Sequence, residues 1–511
     1  MQGRKSVEPR LFYQTTLESL VPAEYPIRRL AAVLDLSWVR PATRACYSHT
    51  GKPSIDPVVL AKMWILGFLY NIPSERQLLR EIQVNLAYRW YINYDLDESL
   101  PDHSVLSKAR RRFGERFFQQ LFDHVLRDCR EAGLIAGDVL FLDSTEVRAD
   151  ASRESFTALR YTGEGYLEEL ERHAEEDSQT CDDEDEKGSG MGRRRPRSSK
   201  VSASKRSTTD PDATLSSRAG CKSQPAYKTH VAVDAAEGVV TAVSVSDAST
   251  DDTAMVPALI ESHEGQLSLP KQVSADTLYG SQESLEYLQE GKSIETVIRQ
   301  RSGGNKHGGY DKRKFRYDLK HDVYTCPAGQ TLIRRRTQKG NETNGPWGKA
   351  FYSCDASTCQ ACSCRAECLG RKSTSKARTI TRFDTPYAHR AEAACATARG
   401  KQLLKRRQTC VEGVFARGKG QHRLSRARWR GLSNLKIQAL VTMTVMNLKK
   451  LMKALPGSHC PALRERFLAF SALGKALFAA VKPQNCFKWL GMLFSETNHK
   501  IKTSPVPFAQ C

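Results

Sequence analysis

Apolar positions along the first part of the chain carry helical signals. Leu17 to Leu34 shows an apolar pattern interrupted by proline, and Asp56-Pro57 supplies an N-cap and a first-turn proline for a long helix through Trp64, Leu66, Phe68 and Leu69. After Asn71-Ile-Pro73-Ser74 a second helix is predicted from Glu75 to Asn85. Pro101-Asp102-His103-Ser104 starts a third, which takes Lys108, Arg110, Arg111 and Arg112 as far as Gly114 and continues from Glu115 to Gly133. Several short helices, one of them strongly basic, suit a helix-turn-helix-like DNA-binding module; a solvated basic face on a helical bundle gives the same pattern.

The pattern then changes to strands. Val139-Leu-Phe-Leu142 is an unbroken branched and aromatic run, as in a strand buried on both faces, and it stops on Asp143, followed by Ser-Thr-Glu146. Such a strand delivers an acid to the rim of a sheet, although an aspartate there equally caps a turn. Tyr227 to Val245 alternates on both sides of a turn bearing Gly238, which predicts a β-hairpin. A helix from Thr253 to Ser262 follows. Gln272-Val-Ser-Ala then runs into Asp276, a Tyr279-Gly280 turn and a helix-like segment from Ser281 to Gln289. From Ala388 to Gly418 the spacing is helical again, with Lys405, Glu412 and Lys419 on one face, and Ile437 to Leu451 reads as a closing helix. On an isolated helix such a face is a surface salt-bridge ladder. Lys228 and His230 share one side of their strand; Lys228 either contacts a phosphate or ends the strand in solvent, and Asp252 is either an auxiliary carboxylate or a helix N-cap.

Two stretches interrupt these elements. Residues 163–222 turn acidic from Glu164 to Glu186 and then basic and Gly/Ser-rich through Lys200, a composition that predicts a disordered insertion whose basic half could clamp DNA. Residues 300–378 are basic and hold six of the fifteen cysteines. Cys359-x-x-Cys362 has the knuckle spacing of a zinc site, and a structural Zn2+ on Cys326, Cys359, Cys362 and Cys368 is the favoured reading over a cluster of free thiols. Beyond residue 451 the tail carries moderate hydrophobicity from Phe467 to Phe494, as in one or two further helices.

Composition narrows the partners. Across 511 residues, 78 Lys+Arg against 57 Asp+Glu leave a net charge of +21, which implies polyanionic partners, most simply nucleic acid. No apolar run reaches membrane-spanning length and the N-terminus lacks an apolar signal core, so a cytoplasmic, nucleoid-associated protein is expected, with its cysteines as thiols or metal ligands.

Leu-Asp143-Ser-Thr with Ala149-Asp-Ala-Ser152, Ala275-Asp276-Thr-Leu-Tyr279-Gly-Ser, and Val411-Glu412-x-x-Phe415-x-x-x-Lys419 follow one another in the order seen in a family. Over roughly Leu11 to Leu451 the chain resembles the Asp-Asp-Glu (DDE) transposases of bacterial insertion sequences. The resemblance implies an α/β, ribonuclease-H-like catalytic domain over 136–451, an all-α DNA-binding domain over 1–135, a cysteine-rich insertion and a C-terminal tail over 452–511. It implies Asp143, Asp276 and Glu412 as ligands of two Mg2+ ions, for which Mn2+ can substitute, and Lys419 as a holder of the cleaved end. It also implies duplex DNA as partner, both terminal inverted repeats and target, and a homodimer or higher synaptic assembly. One departure stands out. The family's Tyr-x2-Arg-x3-Glu-x6-Lys signature expects arginine where Gln408 lies, with Arg406 and Arg407 just before it.

Two metal ions about 4 Å apart activate a nucleophile and stabilise a leaving oxygen together, which is why three acids suit phosphodiester cleavage and strand transfer. DNA contacts are expected at Lys419, Arg407, Lys228, Arg110, Arg426 and Trp429, the last two from the basic tail after Lys419. A ribonuclease-H-like nuclease, or a DNA-binding regulator derived from an inactive transposase, are the alternatives.

Overall fold

The structure, a computed structural model, describes residues 15–51, 54–158, 205–216, 223–300, 309–318, 320–340, 346–370 and 373–454. The acidic and basic blocks between Glu164 and Lys200 and the tail from Phe467 to Phe494 lie outside them.

The N-terminal helices start as their caps dictate. Asp56 accepts from Val58 N at 2.9 Å ahead of Pro57–Leu69, and Ser74 accepts from Gln77 N at 3.1 Å ahead of Glu75–Val84. The predicted basic helix and its continuation form one element, Ser104–Glu131, bent at Gly114, whose φ of 63° and ψ of −176° suit glycine alone. On either side of the bend, Phe113, Phe117 and Phe118 gather around Trp64 with ring centroids 4.9–6.1 Å apart.

Among the described residues six strands build the main sheet: β1 (Val139–Arg148), β2 (Gln224–Asp234), β3 (Val240–Asp247), β4 (Gln272–Ala275), β5 (Glu295–Ile298) and a short strand, Thr214–Ser216, that pairs with the start of β2. The order of the numbered strands is β3-β2-β1-β4-β5, antiparallel from β1 through β3 and parallel from β1 through β5. The predicted hairpin is β2–β3, and the predicted helix after it is a short turn, Asp252–Met255, followed by Val256–Glu264. One expectation needs correction. β1 does not stop at Asp143: pairing with β2 carries it five residues further, to Arg148. On its other edge, β4 pairs only Val139 to Leu142 and ends at Ala275. Asp143 is thus at a strand end towards β4 and mid-strand towards β2.

The described residues between 309 and 383 fold around a second, antiparallel sheet of Arg316–Asp318, Val323–Thr325, Thr331–Gln338, Lys349–Ser353 and Thr379–Phe383. The helical stretch expected from Ala388 breaks into Pro386–Ala396 and Ala398–His422 at Thr397, which caps the second helix through Gly400 N at 2.9 Å. Gly400 is required there, since a Cβ would stand 2.0 Å from the Ala394 carbonyl oxygen. The closing helix, Leu432–Ala454, packs against Ser104–Glu131 on one side and β3 on the other. Its fully buried Asn447 accepts from Val240 N at 3.0 Å and donates to Val240 O at 2.8 Å, so one amide completes the strand's edge.

Candidate active site

Asp143 and Asp276 come from adjacent parallel strands, the second standing just past the end of β4. Between them lies Arg407, whose Nη1 donates to Asp143 Oδ2 at 2.6 Å and whose Nη2 is 4.0 Å from Asp276 Oδ1. The helix spacing explains this aim. Leu403, Val411 and Val414 are buried on one face of this helix, and Arg407, four residues from both Leu403 and Val411, occupies the same stripe. Glu412 is one residue, about 100°, round from that stripe. It is exposed and accepts from Gln408 Nε2 at 3.1 Å. Burial raises the Asp143 carboxyl above its ordinary value; Arg407 pulls it down, and the Asp276 charge pushes it up.

The donor set has the chemistry a divalent cation needs, namely hard carboxylate oxygens at the mouth of a sheet. Among the described residues, however, no three His, Cys, Asp or Glu side chains stand together closely enough to hold an ion. Arg407 supplies the positive charge instead. Its fit is incomplete, because Arg407 Nε is buried without a hydrogen-bond partner. A guanidinium held through one end can be displaced.

A second network lies beneath the acids. Asp252, 3% exposed, accepts from Ser144 Oγ at 3.0 Å and from Lys228 Nζ at 2.9 Å, while Lys228 also donates to Thr250 O at 2.7 Å. The N-cap of the following turn is Asp251, so Asp252 is not spent on capping. Lys228 is correspondingly turned inward, with its charge matched by Asp252 rather than presented to a phosphate. His230 joins Tyr279 to Ser246: Ser246 donates to Asp247 O, hence His230 Nε2 donates to Ser246 at 2.9 Å and Nδ1 accepts from the Tyr279 hydroxyl at 3.3 Å. Burial lowers His230 to about 4, which keeps the ring neutral. Ser144 follows Asp143 and Tyr279 ends the turn after Asp276, so these contacts tie both acid-bearing segments to β2. The isolated residues gave no sign of this beyond Lys228, His230 and Asp252 themselves.

The other expected DNA contacts divide. Arg426 is exposed and pairs with Asp150 at 2.8 Å, and Lys419 is half-buried on the glutamate helix. Arg110 and Trp429 are not on an open surface: the Arg110 guanidinium is buried against Glu75 and lies 3.6 Å from the Trp429 ring centroid. Their charge and aromatic character serve packing between the Ser104–Glu131 helix and the basic tail. Cys326, Cys359, Cys362 and Cys368 all line one cavity of about 30 Å3, together with Cys354 and Cys364. They are not drawn into a ligand cage; the close pair is Cys354 and Cys359, with sulfurs 3.0 Å apart.

Residues 15–112 match a family model described as a transposase domain, DUF772, and residues 325–452 match one described as a transposase DDE domain. The two aspartate strands lie outside both ranges, and the glutamate helix lies inside the second. No curated protein matches the chain. Among solved structures, the chain is similar to a piggyBac transposase synaptic complex with hairpin DNA at 10% identity and a TM-score of 0.28, over 96% of this chain and 87% of that one. A likeness that loose carries no weight for fold or function. The two family matches, the first on the N-terminal helices and the second on the helix of Glu412, support a DDE transposase of the insertion-sequence type.

Proposed function

We propose that this transposase binds the terminal inverted repeats of an insertion sequence and performs metal-dependent cleavage and strand transfer, with Asp143, Asp276 and Glu412 as its acids. The observation that carries the reading is the meeting of Asp143 and Asp276 at Arg407, on the helix that also bears Glu412. The run of strand, hairpin, helix and parallel strand supports a ribonuclease-H-like catalytic domain.

Asp143, Asp276 and Glu412 would be the residues that hold two Mg2+ ions, or Mn2+ in their place, which would supply activation of the attacking oxygen and stabilisation of the leaving one. The chain's own part is positional. Asp252 and Tyr279 fix the segments that carry the aspartates, and Arg407, once released from them, can offer a fork of donors to a phosphate beside the acids. Lys419 lies two turns, about 10 Å, beyond Glu412, within reach of a neighbouring phosphate of the same strand. Arg426 extends this basic line. Paired element ends make a homodimer or larger synaptic assembly the working form, cytoplasmic and associated with the nucleoid. The cysteine cavity is read as a structural Zn2+ site, which Cys326, Cys359, Cys362 and Cys368 would hold.

The test is cleavage and joining of a labelled duplex carrying the element's own terminal repeat, with Mg2+ and with EDTA, for wild type and Asp143→Ala. Nicked ends and joined products are expected from wild type with metal alone. Hydrolysed ends without joining would make the protein a nuclease, and binding without cutting in every sample would make it a regulator.

A further inference from the structure

The second sheet takes no part in the acid site, and its composition is one-sided. Thr331–Gln338, Lys349–Ser353 and Thr379–Phe383 together contain five basic residues and no acidic one. Leu332, Ala350, Tyr352 and Ile380 are buried on its inner face. Register places Arg336 opposite Phe351, Phe351 opposite Thr381, and Lys349 opposite Phe383 on the outer face. An irregularity between Arg334 and Arg336 decides which arginine arrives there. Arg334 pairs with Asp384 and Arg335 with Asp355, whereas Arg336 lies 4.4 Å from the Phe351 ring centroid. Lys349 lies 5.8 Å from that of Phe383. Beside them Ile333 is 43% exposed, and both rings are only half-buried.

We propose that this outer face is a platform for single-stranded DNA, on which unpaired bases stack against Phe351 and Phe383 while Arg336 and Lys349 hold the phosphates. Cations alone would serve a duplex backbone, because phosphate contacts need no aromatic ring. Half-buried ring faces flanked by Arg336 and Lys349 meet nucleic acid through base faces, and a duplex keeps those stacked inside. Phe351 and Phe383 are diagonal neighbours across one strand pair, about 7–8 Å apart, so two successive bases splayed from an extended strand can each take one ring. The platform is independent of the acid site, and its test involves no cleavage.

The experiment measures binding of the full chain to a fluorescent oligothymidylate and to a duplex of the same length, without divalent metal. Phe351→Leu and Phe383→Leu keep apolar bulk on the outer face and remove the ring; Arg336→Gln removes one charge. Each leucine variant is expected to bind the oligothymidylate about tenfold more weakly and the duplex as wild type does. Arg336→Gln is expected to lower the salt dependence of oligothymidylate binding by about one ion. Leucine variants that bind oligothymidylate like wild type, or that lose both ligands equally, overturn the proposal. Melting curves identify a variant that fails to fold, and the other ring variant then carries the result.

Discussion

Replacing Arg110 with Met separates a packing residue from a DNA contact. In the structure Arg110 and Glu75 form an ion pair with side chains 8% and 18% exposed, roofed by Trp429. Methionine keeps the stem and leaves Glu75 in place without its partner. Breaking a buried pair from one side costs about 3–5 kcal/mol, to which the lost cation–π contact adds at most about 1–2 kcal/mol. The compact unit runs to Ala454, and at roughly 2.1 cal/mol/K per residue its unfolding entropy is about 1 kcal/mol/K. A fall in melting temperature of about 3–7 °C is therefore expected, read by calorimetry. Burial already raises the Glu75 carboxyl, and losing Arg110 raises it further. Protonation relieves an acid whose folded value is raised, so the deficit should shrink as pH falls towards the carboxylate range and be largest above it. Duplex affinity of the folded variant should match wild type. A variant that melts like wild type yet binds duplex at least tenfold more weakly, with a shallower salt dependence, would refute the packing assignment and return Arg110 to the DNA surface.

Asp252→Asn should cut cleavage at least tenfold while duplex binding stays within twofold, because Lys228 loses its counter-charge and Ser144 its anchor; a Mg2+ titration of cleavage that shifts to higher concentration marks a positioning defect, which a purely structural loss would not produce. Arg407→Gln should bind Mn2+ more tightly than wild type by calorimetry without DNA, by about tenfold, since a charged hydrogen bond worth about 1.5–3 kcal/mol no longer competes for Asp143; unchanged affinity would mean the guanidinium does not guard the acids. Purified protein should carry close to one zinc per chain, and Cys359→Ser should lose both the metal and several degrees of melting temperature; metal-free wild type with the same melting temperature would leave the cavity as free thiols.

What could be read in advance followed the strength of the local pattern. β1 and β4 announced themselves as short apolar stretches and the hairpin as alternation about the Gly238 turn, and their order put two aspartates beside each other. The extension of β1 to Arg148 was hidden, since Ser144 to Glu146 are polar and only pairing with β2 keeps them in the strand. Asp252 was open between an auxiliary carboxylate and a cap because of a one-residue ambiguity with Asp251, which does the capping. Arg110 and Trp429 looked like a DNA surface because a charge in sequence is presumed to meet water; its partner, Glu75, is 35 positions away. The second sheet went unread for a related reason: its strands are short and rich in Thr and Arg, and their pairing joins residues separated by loops.

Asn447 also bears on how the protein is made. The closing helix fills the space between β3 and the Ser104–Glu131 helix, so neither surface is covered until residues near 450 have left the ribosome. Most of the chain must therefore wait, with an apolar helix face and an unfinished strand edge in water, for its last described segment. Such late, long-range closure is slow and prone to association, which makes synthesis at low temperature or with a chaperone the condition under which this protein should be recovered soluble.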